Sequence, residues 1–292
     1  MHCWGFGCHD GLDSKISSLI DADPDHELSA GMSPPIGTSI RPREGEWWLL
    51  QQHILDRWIQ HGPPLDLEGP MLKTDLFDEA SGPHHHLHSL GAKAQPIGMD
   101  WDLGVARAAQ TRLTHAGIAA QLVVCDVRAL PFAASSLPAA LSLSTLDHFP
   151  STESIVDGLR ELARVVRTGG MLMLTLDNPA NPEVLLRARL PSVLVRHLRA
   201  DAFPLGRTLN PRQAERIFRE LQLEVVSRDY LLHAPRFIGI RVLNWLESRE
   251  RQATAQWVSR LLGVFEALYK SPLRSFTGHY IGWWLRNVRI LE

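Results

Sequence analysis

The chain has 292 residues, of which 45% are hydrophobic, and a formal net charge of −2 at pH 7. A chain of this length can bury a full core, so we expect one main domain with attachments. Three cysteines are too few for a disulfide framework, no apolar run reaches membrane-spanning length, and the N-terminus lacks a signal-peptide pattern. These features favour a cytoplasmic protein without an integral membrane segment.

The two parts of the chain differ in charge. Residues 1–182 carry 12 basic and 22 acidic side chains, whereas residues 183–292 carry 18 basic and 10 acidic ones. The basic part interleaves arginine with Leu, Val, Phe and Trp, which is more typical of amphipathic helices than of a nucleic-acid groove. We therefore expect no nucleic-acid partner, and peripheral membrane contact by an Arg and Trp face stays open.

Residues 1–45 are rich in Gly, Pro, Ser and Asp without sustained periodicity, which predicts an irregular N-terminal arm. His2, Cys3, Cys8 and His9 form a set of two His and two Cys that would suit a tetrahedral metal. A frayed terminus is the simpler interpretation, and we predict no metal.

A helix is predicted directly after the arm. Trp47, Leu50, Ile54 and Trp58 recur near helical spacing, and Gly62 is placed to end the helix. We expect this helix to pack over the sheet edge or over the ligand cleft.

The segment from Met71 to Asp177 alternates strand and helix signals, which predicts right-handed crossover units and a parallel sheet. Five strands are predicted, in chain order MLKTDLF, IGMD, QLVVCD, AALSLSTLDHF and MLMLTLDNP. Asp102 and Ser151 are predicted N-caps of two intervening helices, and Gly117 suits the end of the first.

The last third is less regular. Asn210 followed by Pro211 predicts a helix start, and LEVVSRDYLLH and HYIGWWLRN are predicted to pair as an antiparallel edge. The apolar helical stretch from Phe237 to Tyr269 is interpreted as a lid on the main domain, and its composition favours an aromatic or lipid-like ligand. Three arginines are candidates for holding an acidic group on that ligand: Arg236, Arg241 and Arg274.

Three acids mark the predicted sheet edge. Asp75, Asp100 and Asp126 are almost evenly spaced, and the last two directly follow short apolar runs. This spacing fits a repeated strand, turn and helix, and it puts each carboxylate at the carboxyl end of a strand, where ligands bind to open parallel sheets. The three acids predict a hydroxyl-rich, amine-bearing ligand such as a nucleoside.

Five pieces occur in order between Leu72 and Pro179: LKTDLFDEASG, IGMDWD, VVCDVRALPF, STLDHF and ELARVVRTGGMLMLTLDNP. Together they resemble the class I S-adenosylmethionine-dependent methyltransferases. The resemblance implies an α/β, Rossmann-like doubly wound fold with a mainly parallel seven-stranded sheet, an antiparallel last strand and a C-terminal helical insertion. It also implies a cofactor-binding core at residues 46–182 and a C-terminal part at 183–292 that completes the sheet.

The cofactor residues follow from this pattern. Asp100 has the clearest role, because a carboxylate at the end of the second strand can accept hydrogen bonds from both ribose hydroxyls, with helix capping as the alternative. Trp101 either lies against the adenine face or simply packs. The resemblance implies that Asp126 accepts from the adenine amine and that the Val127 backbone amide contacts a ring nitrogen. Ser144, after the fourth strand, completes the set.

Thr74, Asp75 and Gly82 belong to the first cofactor motif of this resemblance. In the usual pattern a glycine-rich loop follows the first strand and lets the methionine part of the cofactor approach the backbone. Here Phe77 stands where a glycine is expected, so its side chain must point away from the ligand.

Four histidines follow in the same loop and suggest a metal, but their spacing matches no known site: His84, His85, His86 and His88. A solvated loop is the simpler interpretation.

His148 follows the fourth strand, where the cleft should open to the acceptor. It is the best candidate for a general base, although a structural histidine fits equally well. We therefore predict methyl transfer from S-adenosyl-L-methionine to a small, apolar or aromatic acceptor. Two alternatives stay open: a catalytically silent binding or scaffold domain, favoured by the glycine-poor loop, and a nicotinamide-dependent oxidoreductase, which should show the absent G-x-G-x-x-G.

Overall fold

The computed structural model describes residues 45–63, 68–82, 85–89, 94–189 and 206–289. The predicted N-terminal arm lies outside these ranges except for Gly45, and so do the four His and Cys residues that were considered as metal ligands.

Seven strands form one sheet in the order β3-β2-β1-β4-β5-β7-β6. Their bounds are β1 Gly69–Thr74, β2 Ala94–Asp100, β3 Gln121–Val124, β4 Leu137–Leu143, β5 Val166–Asp177, β6 Leu223–Leu231 and β7 Tyr280–Asn287. Strands β1 to β5 pair in parallel, whereas β7 runs antiparallel to both β5 and β6. The predicted Rossmann-like sheet with an antiparallel last strand is confirmed.

Helices cover both faces of this sheet. In chain order they are α1 Glu46–Gln60, α2 Phe77–Ser81, α3 His86–Ser89, α4 Leu103–His115, α5 Thr152–Val165, α6 Pro182–Arg189, α7 Pro211–Glu220, α8 Arg236–Glu247, α9 Gln252–Gly263 and α10 Arg274–Thr277. Adjacent strand residues such as Trp283 and Trp284 belong to separate hydrophobic clusters, because successive side chains of a strand point to opposite faces.

Local capping sets several helix ends as the sequence predicts. The Asp102 side chain accepts from the backbone of Gly104 and Val105 at the start of α4. Ser151 caps α5, and Asn210 forms a capping box with Gln213 at the start of α7. These caps are confirmed, because they depend only on neighbouring residues.

Two predicted strands are too long. The chain leaves β1 at Asp75 (φ 64°) and enters α2 at Phe77, and it leaves β4 at Ser144 (φ 48°) before a short 3₁₀ helix, Leu146–His148. Both turning residues adopt the left-handed backbone conformation, which cannot continue a strand. The turns place polar residues at the carboxyl edge of the sheet.

The stretch from Phe237 to Tyr269 folds as α8, α9 and a 3₁₀ helix, Val264–Lys270. Helices α8 and α9 pack on α1: Gly239 lies directly against Trp47, and the Ser259 hydroxyl donates to the backbone carbonyl of Glu46. Among the described residues, no helix is both long enough and apolar enough to cross a membrane.

Candidate active site

A cleft lies at the carboxyl edge of the parallel strands. Its lining residues are Asp75, Met99, Asp100, Trp101, Val127, Thr145 and His148. The fold therefore brings five of the predicted site residues together, although they come from four separate segments of the chain. The lining leaves out four others, namely Thr74, Gly82, Asp126 and Ser144.

The Asp100 carboxylate, at the end of β2, is hydrogen-bonded to the backbone of two turns. One carboxylate oxygen accepts from the backbone N–H of Leu76 at 2.9 Å, and the other accepts from Asp102 at 2.8 Å. The residue is 4% exposed, and burial raises the pKa of its carboxyl group. Each oxygen of a carboxylate has a second lone pair, so Asp100 can still accept hydrogen bonds from a ligand in the cleft.

Asp75 stands in the left-handed conformation, which aspartate tolerates better than most residues. Its carboxylate accepts from the backbone N–H of Phe77 at 2.7 Å. The residue is half-buried, and desolvation of its carboxyl group, followed by the nearby charge of Asp100, raises its pKa to about 7. Phe77 packs against the hydrophobic core and does not line the cleft. This agrees with the expectation that its side chain points away from a ligand in the cleft.

The sequence analysis missed a buried ion pair beside this turn. Lys73 in β1 donates to Glu79 in α2 at 2.8 Å, and the two side chains are 1% and 0% exposed. Lys73 also donates to the backbone carbonyl of Asp75. A lysine inside a predicted strand was the available signal, because an unpaired charge is almost never buried there.

Hydroxyl groups next to the cleft form hydrogen bonds with one another. Thr74 contacts Ser142 at 3.0 Å and Thr145 at 2.9 Å, and all three are buried. Ser144 donates to Asp147 at 2.9 Å. In this structure Thr74 and Ser144 hold the strand ends, and their predicted contact with a cofactor stays a prediction.

Asp126 forms an ion pair with Arg128, two residues further along the chain. The Arg128 guanidinium donates to its carboxylate, with Nη2 to Oδ2 at 2.6 Å, and the Arg128 backbone N–H donates to Oδ1 at 2.8 Å. Gly82 lies against Gln52 of α1, and its carbonyl accepts from Arg112. The predicted roles of Asp126 and Gly82 in cofactor binding remain predictions.

A second polar cluster lies between the ends of β4 and β5. The backbone N–H of Asp177 donates to Asp147 at 2.7 Å, and both side chains are buried. Burial raises the pKa of Asp147 to about 6, and burial together with the charge of Asp147 raises that of Asp177 to about 7. The charge of His148 acts on Asp177 in the opposite direction, so this pair lies near the cleft.

His279 and Arg236 complete the cluster. Burial lowers the pKa of His279 well below its usual value, so the ring is neutral and accepts from Arg236 at 3.1 Å. The contact of 3.6 Å between His279 and Asp177 is therefore not an ion pair. Arg236 had been predicted to hold an acidic ligand, and here it lies next to a buried acid instead.

The histidine-rich loop has a structural anchor. His86 is 1% exposed, and its Nδ1 lies 2.7 Å from Asp56 of α1. His85 is half-buried, His84 falls outside the described residues, and the side chain of His88 is not described. No group of three or more His, Cys, Asp or Glu residues suited to a metal occurs within the described ranges.

A separate groove of about 930 Å³ lies between α1, the β6–β7 edge and the 3₁₀ helix Val264–Lys270. It shares no lining residue with the cleft. The apolar stretch that was interpreted as a lid contributes to this groove and adds no residue to the cleft lining. The helices of this stretch pack on α1, which belongs to the main domain, and their interpretation as a lid stays a prediction.

The strand order and the polar residues at its carboxyl edge define the class I methyltransferase fold. Residues 80–174 match the family model of a methyltransferase domain. The predicted resemblance to class I S-adenosylmethionine-dependent methyltransferases is confirmed.

One curated relative matches a short stretch. It is the mouse tRNA (carboxymethyluridine(34)-5-O)-methyltransferase ALKBH8, 39% identical over 54 residues, which is 18% of this chain and 8% of the mouse protein. The match therefore spans a small fraction of that protein. Because its name includes tRNA, the predicted exclusion of nucleic acid has no support from the comparisons.

Solved structures share the fold at low identity. The [4+2]-cyclase SpnF has a TM-score of 0.50 and 12% identity, covering 80% of this chain and 79% of its own. Phosphoethanolamine N-methyltransferase 2 of Haemonchus contortus, solved with S-adenosylhomocysteine, has a TM-score of 0.51 and 17% identity, covering 83% and 53%. A putative sarcosine dimethylglycine methyltransferase of Galdieria sulphuraria has a TM-score of 0.50 and 13% identity, covering 84% and 86%. A cyclase among them means that the fold alone does not fix the reaction.

Proposed function

We propose that the protein binds S-adenosylmethionine in the cleft and transfers its methyl group to a small acceptor molecule. The observation that carries this proposal is Asp100, a buried carboxylate at the end of β2 that lines the cleft and keeps lone pairs for two ribose hydroxyls. The methyltransferase-domain match of residues 80–174 supports the same conclusion.

The chemistry of the cleft fits this cofactor. S-adenosylmethionine carries a sulfonium and an ammonium group, and the cleft presents two carboxyl groups, Asp75 and Asp100. Burial is the largest cause of the raised pKa of both groups, and the nearby charge of Asp100 raises the pKa of Asp75 further. A cationic, hydroxyl-bearing ligand would stabilise both ionised forms. Trp101 offers an aromatic surface and Val127 a backbone amide on the same wall.

Cofactor binding requires more space than the cleft provides in this structure. The cleft has a volume of about 10 Å³, which is room for about one water molecule. Cofactor binding would therefore need side chains to move apart, and we propose the half-buried lining residues Trp101 and His148 as the ones that move.

The bound cofactor would supply a methyl group on an already activated leaving group. The protein would position the acceptor opposite the sulfur and exclude water. His148 lines the cleft and is the proposed base that takes a proton from an acceptor hydroxyl or thiol at an imidazole nitrogen. The finer proposal is an apolar or aromatic acceptor, and it rests only on the composition of the C-terminal helices, which add no residue to the cleft lining.

A catalytically silent binding domain is the second candidate. It is favoured by the small volume of the cleft and by the pairing of Asp126 with Arg128, which uses an acid that was predicted to hold adenine. A nicotinamide-dependent oxidoreductase has no glycine-rich fingerprint to support it.

Thermal unfolding with millimolar S-adenosylhomocysteine, NADH or no ligand separates these candidates. A ligand at a hundred times its dissociation constant stabilises the folded state by about 2.7 kcal/mol, which would raise the midpoint by several degrees. We expect this shift with S-adenosylhomocysteine alone, and we expect it to fall to about half or less in Asp100→Asn, which should bind at least about tenfold more weakly. An unchanged wild-type midpoint would favour the silent domain, and a shift with NADH would favour the oxidoreductase.

A further inference from the structure

The C-terminal helices expose an unusual amount of apolar surface. Ten large hydrophobic side chains within residues 236–277 are 38% to 64% exposed. They are Ile238, Val242, Trp245, Trp257, Leu261, Val264, Phe265, Tyr269, Leu273 and Phe276. We call the exposed side chains of residues 236–277 the apolar–basic surface. Exposed apolar side chains clustered in this way mark interaction sites, whereas single ones are ordinary.

The side chains on α8 form a stripe. Ile238, Val242 and Trp245 follow at helical spacing and are all exposed. Gly239 lies on the neighbouring buried face of the helix, where a side chain would collide with Trp47 of α1. Helix α8 therefore buries one face on the protein and leaves a second apolar face open.

Helix α9 repeats this arrangement. Trp257 and Leu261 on α9, and Val264 at the start of the following 3₁₀ helix, continue the same spacing and are 63%, 50% and 64% exposed. Ser259, on the inward side, donates to the carbonyl of Glu46. Two neighbouring helices that both pack on α1 thus each keep an apolar stripe in solvent.

The charge of this region is positive. Residues 236–277 contain seven Arg or Lys and three Glu. Glu247 and Glu266 accept hydrogen bonds from the backbone N–H groups of Glu46 and His233, at 2.7 Å and 2.6 Å. These two acids face the protein, and only Glu250 of the three is an exposed residue.

Arginine and aromatic side chains lie together on the surface. The guanidinium carbon of Arg241 lies 4.7 Å from the centre of the Phe237 ring, and those of Arg249 and Arg251 lie 5.8 and 6.0 Å from Trp245. Helices that combine exposed Trp, Leu and Phe with Arg are typical of segments that lie in the membrane interface.

We propose that the apolar–basic surface binds the face of a phospholipid bilayer that contains anionic lipids. The apolar stripes would enter the boundary between headgroups and acyl chains, and the arginines would contact lipid phosphates and carboxylates. Positive charge argues against a symmetric dimer through this surface, because a two-fold axis would bring the two basic faces together.

Sedimentation with lipid vesicles tests the proposal on the full chain. We expect binding to vesicles with about 30% phosphatidylserine, little binding to phosphatidylcholine alone, and weaker binding as salt is raised, since salt screens surface charges. Trp245→Gln with Trp257→Gln should lower the partition coefficient at least about tenfold, because the apolar contribution is lost. Arg249→Gln with Arg251→Gln should lower it about twenty-five-fold, because each basic residue contributes roughly fivefold.

Arg212→Gln with Arg216→Gln is the matched control, because it removes two exposed arginines from α7, outside the apolar–basic surface. It should leave vesicle binding unchanged, and far-UV circular dichroism should show that all variants fold. The proposal is overturned if wild type does not bind anionic vesicles, or if the control loses as much binding as the arginine variant. It is also overturned if the chain is a dimer that the tryptophan variant dissociates while vesicle binding is absent.

Discussion

Lys73 and Glu79 form an ion pair of 2.8 Å in which neither side chain is more than 1% exposed. The Lys73 ammonium also donates to the carbonyl of Asp75, so the pair fixes the turn that follows β1. The class I resemblance expects flexible glycines at this turn. In this chain a buried charge pair and the left-handed Asp75 hold the turn instead.

Replacing one member of this ion pair should lower the free energy of unfolding. Glu79→Ala leaves the Lys73 ammonium buried without its partner, and we expect a loss of about 3–5 kcal/mol in the free energy of unfolding, measured with urea. Lys73→Met combined with Glu79→Leu removes both charges and should recover most of the loss. A Glu79→Ala variant within about 1 kcal/mol of wild type would contradict a structural role for the pair.

Ligand binding should depend more on Asp100 than on Asp126. Asp100→Asn removes charged hydrogen bonds to the ribose, each worth roughly 1.5–3 kcal/mol, so S-adenosylhomocysteine should bind at least about tenfold more weakly by calorimetry. Asp126 already pairs with Arg128 and does not line the cleft, so Asp126→Asn should cost less than about threefold. Equal losses would restore Asp126 as an adenine contact.

Affinity for S-adenosylhomocysteine should fall as the pH drops below about 7. The pKa of Asp75 is about 7, so its carboxyl group becomes neutral in this range and no longer attracts the ligand's ammonium group. Asp75→Asn should bind more weakly at pH 8 and show a flatter pH profile, because asparagine also tolerates the left-handed conformation. An unchanged pH profile in this variant would place the titrating group elsewhere.

Stability should also respond to pH through Asp177. Its pKa is about 7 in the folded protein and 3.8 as the reference value of an unfolded chain, so the folded state binds this proton more tightly. Its contribution to stability is therefore full below about pH 4 and is lost as the pH rises through 7. Asp177→Asn should gain stability relative to wild type between pH 5 and pH 8 in urea unfolding. A relative loss over that range would show that the nearby arginines outweigh burial.

Local sequence signals predicted several helix caps correctly. Asp102, Ser151 and Asn210 cap the helices they were predicted to cap, because each cap bonds to backbone groups within three residues. The spacing of Asp75 and Asp100 placed both residues at one sheet edge, because the period of a strand and a helix fixes where each strand ends.

The pairing of β6 with β7 was predicted, but other contacts between distant segments were not. Asp147 and Asp177 meet because β4 and β5 are neighbours in the sheet, and no local pattern marks two acids that are 30 residues apart as one buried pair. The apolar stretch after Phe237 was correctly expected to be helical, but its packing partner was not evident. Amphipathic periodicity predicts that one face of a helix is apolar, but it does not predict which segment packs against that face.

The sequence by itself determined the order of strands and helices, the sheet edge that carries Asp75 and Asp100, and the methyltransferase-like pattern of acids, because these depend on local periodicity and spacing. Only the tertiary structure decided which acids line the cleft and that the C-terminal helices pack on α1. It also decided that Lys73 is paired with Glu79. The physical reason is that burial, charge pairing and helix docking depend on which segments become neighbours in space.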